Sequence, residues 1–274
     1  MQIINKLPDD TVNYGKQSLF IEFCYLLAGL FILAAVIYAA LGVCVDYAAS
    51  KISPQKELEL FSHLPFHKSF AAATPDKSLE LKLQAIVDRM LERSRILEIP
   101  LKAYVIDEKQ ENAFAVPGGI IVVTSGLIKK CNSENELAMV IGHEIGHFVL
   151  RHHLRSLGRG LVLAVIQSLI LGSEGEGRVL GVPLQMAALR YSRKQEILAD
   201  EIGLKLVNAT YGHVNGATDF FKNWALEEDR QYKNKELLSF FSTHPFSRER
   251  VKHLEEIISL EKYSIEGQLL SRIR

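Results

Sequence analysis

Hydrophobic positions are spread unevenly along the chain. Phe23 to Val45 holds no charged residue, and its interior is Leu, Ala, Ile, Val, Phe and Gly. A helix of that length rises about 34 Å, enough to cross a hydrocarbon core of roughly 30 Å. The run has no polar face with which to line a globular core. Asp9, Asp10 and Glu22 precede it, and it is longer than the apolar part of a cleaved leader. A retained single membrane span is therefore expected. Lys6 and Lys16 before it balance Lys51 and Lys56 after it, so flanking charge does not orient it. A single N-terminal span most often leaves the following domain outside the cytoplasm, and an extracytoplasmic C-terminal domain is the expectation.

Beyond the span, Ser50 to Pro75 mixes Pro, His, Lys and small residues and reads as a linker with some local structure. Ser78 to Leu97 takes up helical spacing at Leu83, Ile86, Val87, Met90 and Leu91, predicting an amphipathic helix ended by Pro100. Leu101 to Ile106 alternates as a strand. Asn112 to Val116 reads as a second strand, Pro117-Gly118-Gly119 as a turn, and Ile120 to Thr124 as a third, β-branched strand. Ser133 and Glu136 have the spacing of a capping box, and Leu137, Val140 and Ile141 give the helix after them a buried face. A further amphipathic helix is expected from Pro183 through Leu189, Ile197 and Leu198 to Leu206. Leu161 to Leu171 is apolar but too short to span a bilayer, and reads as a buried helix or one dipping into the interface. The fold class is α+β, mainly helical, with a small sheet after one N-terminal transmembrane helix. The boundaries are 1–18 for an N-terminal segment, 19–46 for the anchor, 47–75 for the linker and 76–274 for the folded domain.

Composition removes some functions. With 32 basic and 32 acidic residues among 274 and no basic stripe, nucleic acid is a poor partner. Cys24 and Cys44 lie in the apolar run, which leaves Cys131 without a disulfide partner in the folded domain. The domain must rest on its core.

The chemistry concentrates in two short stretches. Residues 143–147 read His-Glu-Ile-Gly-His. On a helix, His143 and His147 share one face one turn apart and can offer two imidazole nitrogens to one zinc ion. Glu144 sits beside them, where a carboxylate can take a proton from a water polarised by the ion. Two unrelated histidines on a capping helix would give the same five letters by chance. Glu196 and Asp200 are again four apart. Glu196 is suited to be the third ligand. Asp200 is suited to accept the outer ring N–H of a ligand histidine, although an ordinary solvated acidic face would also place Glu201 beside them. Ala199 and Gly203 are small and four apart, letting this helix approach a neighbour closely. A rival third ligand, His153, has the metzincin spacing, but Leu150 stands where that pattern has its chain-turning glycine. The helix is expected to run on through Val149 to His153, leaving His153 with Arg151, His152 and Arg155 in a basic surface patch.

Taken together, these residues resemble the HtpX-like and CAAX-prenyl-protease-like zinc metallopeptidases. The resemblance rests on Asn112-Ala113-Phe114 with Pro117-Gly118-Gly119 and Thr124-Ser125-Gly126-Leu127; on His143-Glu144-Ile145-Gly146-His147; on Ser192-Arg193 leading to Glu196 and Ala199-Asp200; and on Thr243-His244-Pro245 with Arg250. It covers about Leu101 to Arg250. It implies a compact gluzincin fold and peptide hydrolysis with one Zn2+ per chain. The single span sets the chain nearer the single-anchored quality-control members than those with several spans.

By the same analogy His244 lies near the zinc, as a hydrogen-bond donor to a developing oxyanion or as a reversible cap on the metal. The edge from Asn112, Ala113 and Phe114 to Ala115 is the candidate for pairing with an extended peptide substrate. Ser173 to Gly177 reads as a lid or a plain loop. The expected partners are protein or peptide substrates, misfolded membrane or envelope proteins among them, and the lipid bilayer. A zinc-binding membrane chaperone or scaffold is the alternative, and the presence of Glu144 speaks against it.

Overall fold

The computed structural model describes residues 18–74, 76–171, 191–223, 244 and 248–273, with backbone only for 163–171. The chain forms two compact units that divide between Val45 and Asp46. The described part of the first is the apolar portion of helix α1 (Leu19–Lys51). Among the described residues, α1 is the one helix long and apolar enough to cross a membrane.

The second unit opens with two short helices, α2 (Pro54–Phe61) and α3 (Phe66–Ala73). Ser53 caps α2, its side chain accepting from Lys56 N, and Pro54 supplies the fixed φ suited to a first turn. Helix α4 (Lys77–Ser94) is capped by Asp76 and buries Leu83, Ile86, Val87 and Met90 as one stripe. It stops six residues before Pro100, because Arg95 turns left-handed at φ 52° and its N–H closes on Leu91 O. The proline lies past a stop already made.

Strands β1 (Lys102–Ile106), β2 (Ala113–Val116) and β3 (Ile120–Thr124) form one sheet in the order β1-β3-β2. β1 runs parallel to β3, with Lys102 opposite Ile120; β2 runs antiparallel, with Val116 opposite Ile120. Every residue of β3 is buried because both faces of the sheet are covered. On one face Ala103, Val105, Ala115, Ile121 and Val123 join the main core; on the other Tyr104, Phe114, Val116 and Val122 pack with Phe66 and Phe70 of α3. Among the described residues β2 lies at an edge of the sheet.

Helix α5 (Ser125–Lys130) leads into α6 (Glu134–Val149), which is buried from Glu134 to Phe148. Ser133 Oγ accepts from Glu136 N, but Glu136 Oε2 takes Asn132 N rather than the N–H of Ser133, so half of the expected capping box forms. α6 does not run on to His153. Leu150 leaves helical geometry, Arg151 takes φ 62°, and a new helix, α7 (His152–Leu171), starts there. The apolar stretch from Leu161 to Leu171 is the second half of α7.

Helix α8 (Arg193–Tyr211) begins ten residues later than expected. Ser192 and Gln195 form a complete capping box that sets its start, and Gly212 at φ 76° ends it. Pro183, Leu189 and the loop at Ser173 to Gly177 lie outside the described residues. Helix α9 (Arg248–Leu260) closes the unit.

Candidate metal centre

Helices α6 and α8 approach each other through small residues. A Cβ on Gly142 would meet the Gly203 backbone at 3.0 Å, and one on Gly146 would meet Ala199 O at 2.8 Å. This close seam puts the polar residues of the two helices in register. His143, His147, Glu196 and His244 each offer a ligand atom, all within 4.8 Å of one another and all buried.

The separations are those of a coordination shell. Nε2 of His147 is 3.0 Å from Nε2 of His143. Glu196 reaches His143 Nε2 at 3.5 Å through Oε2 and His147 Nε2 at 3.3 Å through Oε1. His244 Nδ1 lies 3.1 Å from His143 Nε2 and 3.3 Å from Glu196 Oε1. Ligands about 2.0–2.2 Å from a tetrahedral zinc stand about 3.3–3.6 Å apart, close to these values. Among the described residues Glu196 Oε2 is met by Arg250, whereas Oε1 is buried without a hydrogen-bond partner. Buried carboxylate oxygens are kept in that condition where something else satisfies them. The donor set, three imidazoles and a carboxylate, suits zinc.

The groups behind these residues fix their orientation. Asp200 Oδ1 lies 2.8 Å from His143 Nδ1. Arg250 donates from Nε to Asp200 Oδ2 at 2.7 Å and from Nη2 to Oδ1 at 2.8 Å, and its Nη1 is 2.8 Å from Glu196 Oε2. His147 is backed differently: its Nδ1 is 2.9 Å from Nδ1 of His152, and Tyr191 stacks on its ring at 3.9 Å between centroids.

Burial opposes charge on His143, but Asp200 and Glu196 outweigh it and hold the ring up at about 9. Burial, then His143, pushes His147 well below the usual histidine range. Burial, with Arg155, pulls His152 down to about 3, so it stays a neutral acceptor for the Nδ1 proton of His147. Burial works against charge on Glu196, yet His244 and the two α6 imidazoles keep it well below the usual carboxylate range.

Glu144 is fully buried. Its Oε2 accepts from Ala115 N of β2 at 3.1 Å, and Oε1, without a hydrogen-bond partner, lies 3.5 Å from His244 Nε2. Burial raises its carboxyl above the ordinary range, against the pull of His244 and His143. Thr124 N donates to Asn112 O, so by antiparallel alternation Ala113 and Ala115 turn their main-chain groups to the free edge. Phe114 faces the other way, its ring 6.4 Å from that of Phe70. The structure thus gathers His143, Glu144, His147, Glu196, Asp200 and His244 at one site, with β2 alongside, and leaves the Phe114 side chain out of it.

Arg151, His152 and His153 do not form a surface patch. All three are buried, because the chain turns at Arg151 and points them inward. The sequence reading missed His152 and Tyr191, which touch His147, and gave Arg250 no role although it named the residue. Arg250 follows His244 by six positions; nothing local indicates that it reaches α8.

Comparison with known proteins agrees with this arrangement. The chain is 30% identical over 178 residues to "Mitochondrial metalloendopeptidase OMA1" of Schizosaccharomyces pombe, an alignment covering 64% of this chain and 52% of that one. It is 33% identical over 169 residues to "Metalloprotease LoiP" of Escherichia coli, covering 59% and 64%. It is 28% identical over 180 residues to "Putative beta-barrel assembly-enhancing protease" of Vibrio cholerae, covering 61% and 37%. The alignments therefore span between 37% and 64% of the length of these relatives. Residues 77–258, which include both α6 and α8, match the model of Peptidase family M48. That match covers most of the chain, the His-Glu-Ile-Gly-His helix and the Glu196 and Asp200 helix included, and the protein belongs to Peptidase family M48.

Proposed function

We propose that the chain is a membrane-anchored zinc-dependent endopeptidase. The observation that carries this reading is the convergence of His143, His147, Glu196 and His244, their ligand atoms within 4.8 Å of one another, with a buried carboxylate, Glu144, beside it. Zinc bound there supplies a Lewis acid that makes water a nucleophile near neutral pH. The protein's own part is to hold and to move a proton. Glu144 is held by the Ala115 N–H through one oxygen, leaving Oε1 to take the proton from water and pass it to the leaving amine. Its carboxyl, raised by burial, has the basicity such a step favours. The free edge of β2, next to that oxygen, offers main-chain groups to an extended peptide. Of the Asn112, Ala113 and Phe114 stretch, Ala113 would contribute main-chain groups on this edge, since Asn112 and Phe114 turn theirs to β3.

His244 takes the second of its two roles in this reading. Its Nδ1 stands where a fourth ligand belongs, and its Nε2 faces Glu144. A catalytic zinc held by His143, His147 and Glu196 would need one position open, so His244 would serve as a reversible cap on the site. The relatives named as endopeptidases and as an assembly-enhancing protease support protein substrates. We extend this to misfolded envelope or membrane proteins, with α1 as the anchor and the catalytic unit on the extracytoplasmic side.

The test is Glu144→Gln in the full-length protein in detergent, scored for zinc content and for cleavage of an unfolded protein. Zinc should stay at one per chain while cleavage falls at least about 10²-fold. Zinc retention with undiminished cleavage would remove Glu144 from the reaction. A wild-type protein that holds zinc and cuts nothing would favour a scaffold.

A further inference from the structure

We infer that Glu57, in the short helix that follows α1 in sequence, is a positioning residue for the metal centre and for the edge strand beside it. This rests on the reading just given. Glu57 precedes residues 77–258, the part of the chain that matches the family. It is fully buried, and both of its oxygens are engaged. Oε1 accepts from Gly118 N at 3.1 Å and lies 2.8 Å from His153 Nε2; Oε2 makes a short ion pair with Arg151 Nη1.

Those partners lead to the site by two routes. Arg151 and His153 flank His152, the residue paired with Nδ1 of His147. Arg151 sits at the left-handed break between α6 and α7, its guanidinium over the Phe148 ring at 5.4 Å. His153 Nδ1 is also 3.3 Å from the main-chain oxygen of His147, and its ring stacks on Phe148 at 4.7 Å. Glu57 therefore ties down both neighbours of the group that orients His147. The second route runs through Gly118. This residue and Gly119 form the β2–β3 turn at φ 92° and 76°, and a Cβ on either would meet Phe61 or Leu58 of α2 within 3.1 Å. Holding that turn sets β2, whose Ala115 N–H holds Glu144.

Stability alone does not call for an ion here. A buried charge pair is often no more stable than well-packed apolar residues of similar volume. What a carboxylate adds at position 57 is direction: three partners from two elements meet on one rigid group. Such outer partners of a metal site typically matter about 10–100-fold in metal affinity or activity.

Glu57→Leu and Glu57→Gln in the full-length protein, purified in detergent and loaded with zinc, test this at a temperature where circular dichroism shows each fully folded. Zinc release to a chromogenic chelator should be about tenfold faster or more in Glu57→Leu. Glu57→Gln, which keeps an acceptor for Gly118 N–H, should fall between it and the wild type. KM for an unfolded protein should rise and kcat fall in the same order. A purely structural role would lower the melting temperature and leave the folded, zinc-loaded protein unchanged on all three measures. A folded Glu57→Leu with wild-type zinc release, KM and kcat overturns the inference. Should Glu57→Leu fail to fold, His153→Leu spares the Arg151 pair; it should release zinc faster, and wild-type release there also overturns it. Zinc release needs no proteolysis. A wild-type protein that holds zinc but does not cleave would therefore sink the protease reading and still leave Glu57 tested.

Discussion

Arg250→Met would remove a buried fork that holds two carboxylates at once. Arg250 is 1% exposed. It gives two hydrogen bonds to Asp200 and an ion-pair contact to Glu196. Burial disfavours its charge, but Asp200 and then Glu196 more than offset that and raise its pKa. Two hydrogen bonds to a charged group contribute about 1.5–3 kcal/mol each. Losing one partner of a buried ion pair costs about 3–5 kcal/mol, and the two figures overlap. At about 2–4 °C per kcal/mol for a domain of this size, the metal-free protein should melt roughly 6–20 °C lower. Arg250→Lys keeps the charge but not the fork and should fall between. A second effect follows, because Asp200 without Arg250 is less firmly aimed at His143. If zinc binds about 10–100-fold more weakly, the stabilisation zinc adds shrinks by about 1.4–2.7 kcal/mol. Thermal melts of the full-length protein in detergent, with and without zinc, separate the two effects. An Arg250→Met protein that melts within about 2 °C of wild type and gains as much from zinc would refute the argument.

Glu196→Ala removes a ligand and should leave little zinc after dialysis, whereas Asp200→Ala should keep zinc but bind it about 10–100-fold more weakly; full zinc in Glu196→Ala together with loss in His153→Ala would restore the His153 ligand set. His244→Ala should keep its zinc and turn over an unstructured peptide faster than wild type, and slower turnover would return His244 to the role of oxyanion donor. If zinc takes Nε2 of His143, it must take it from a ring whose pKa Asp200 and Glu196 raise to about 9 against burial. Zinc uptake at pH 7 should therefore release about one proton, and affinity should rise about tenfold per pH unit up to pH 9 and then level off. Calorimetry in two buffers of different ionisation enthalpy measures that proton, and its absence would mean that His143 is already neutral.

What the sequence showed depended on how far apart the interacting residues lie. β3 was legible to the residue because five consecutive β-branched positions need no partner to be recognised. The faces of α6 and α8 were legible because a spacing of four places His143 with His147, and Glu196 with Asp200, whatever surrounds them. The small pair Ala199 and Gly203 even foretold the close seam. Errors arose where a local rule met a competing one. A helix was extended to His153 because nothing between Val149 and His153 forbids it; the chain turns at Arg151, which Glu57 holds from 94 positions away. Pro183 draws the expected start of the Glu196 helix too early, because the capping box at Ser192 and Gln195 is two polar residues in a polar stretch. Buried charge was the least legible property of all. Glu57 sits in Pro-Gln-Lys-Glu-Leu-Glu, which any hydrophobicity pattern assigns to the surface, and its partners Gly118 and His153 are 61 and 96 positions distant. Arg250 reads as one of several charges opening an exposed helix, yet it meets Asp200 across 50 positions. Apolar residues are buried by their own transfer free energy and so announce themselves. A charged residue is buried only when distant groups supply enough hydrogen bonds and opposite charge to replace water. That condition is a property of the folded pair, so it becomes visible only when the fold is.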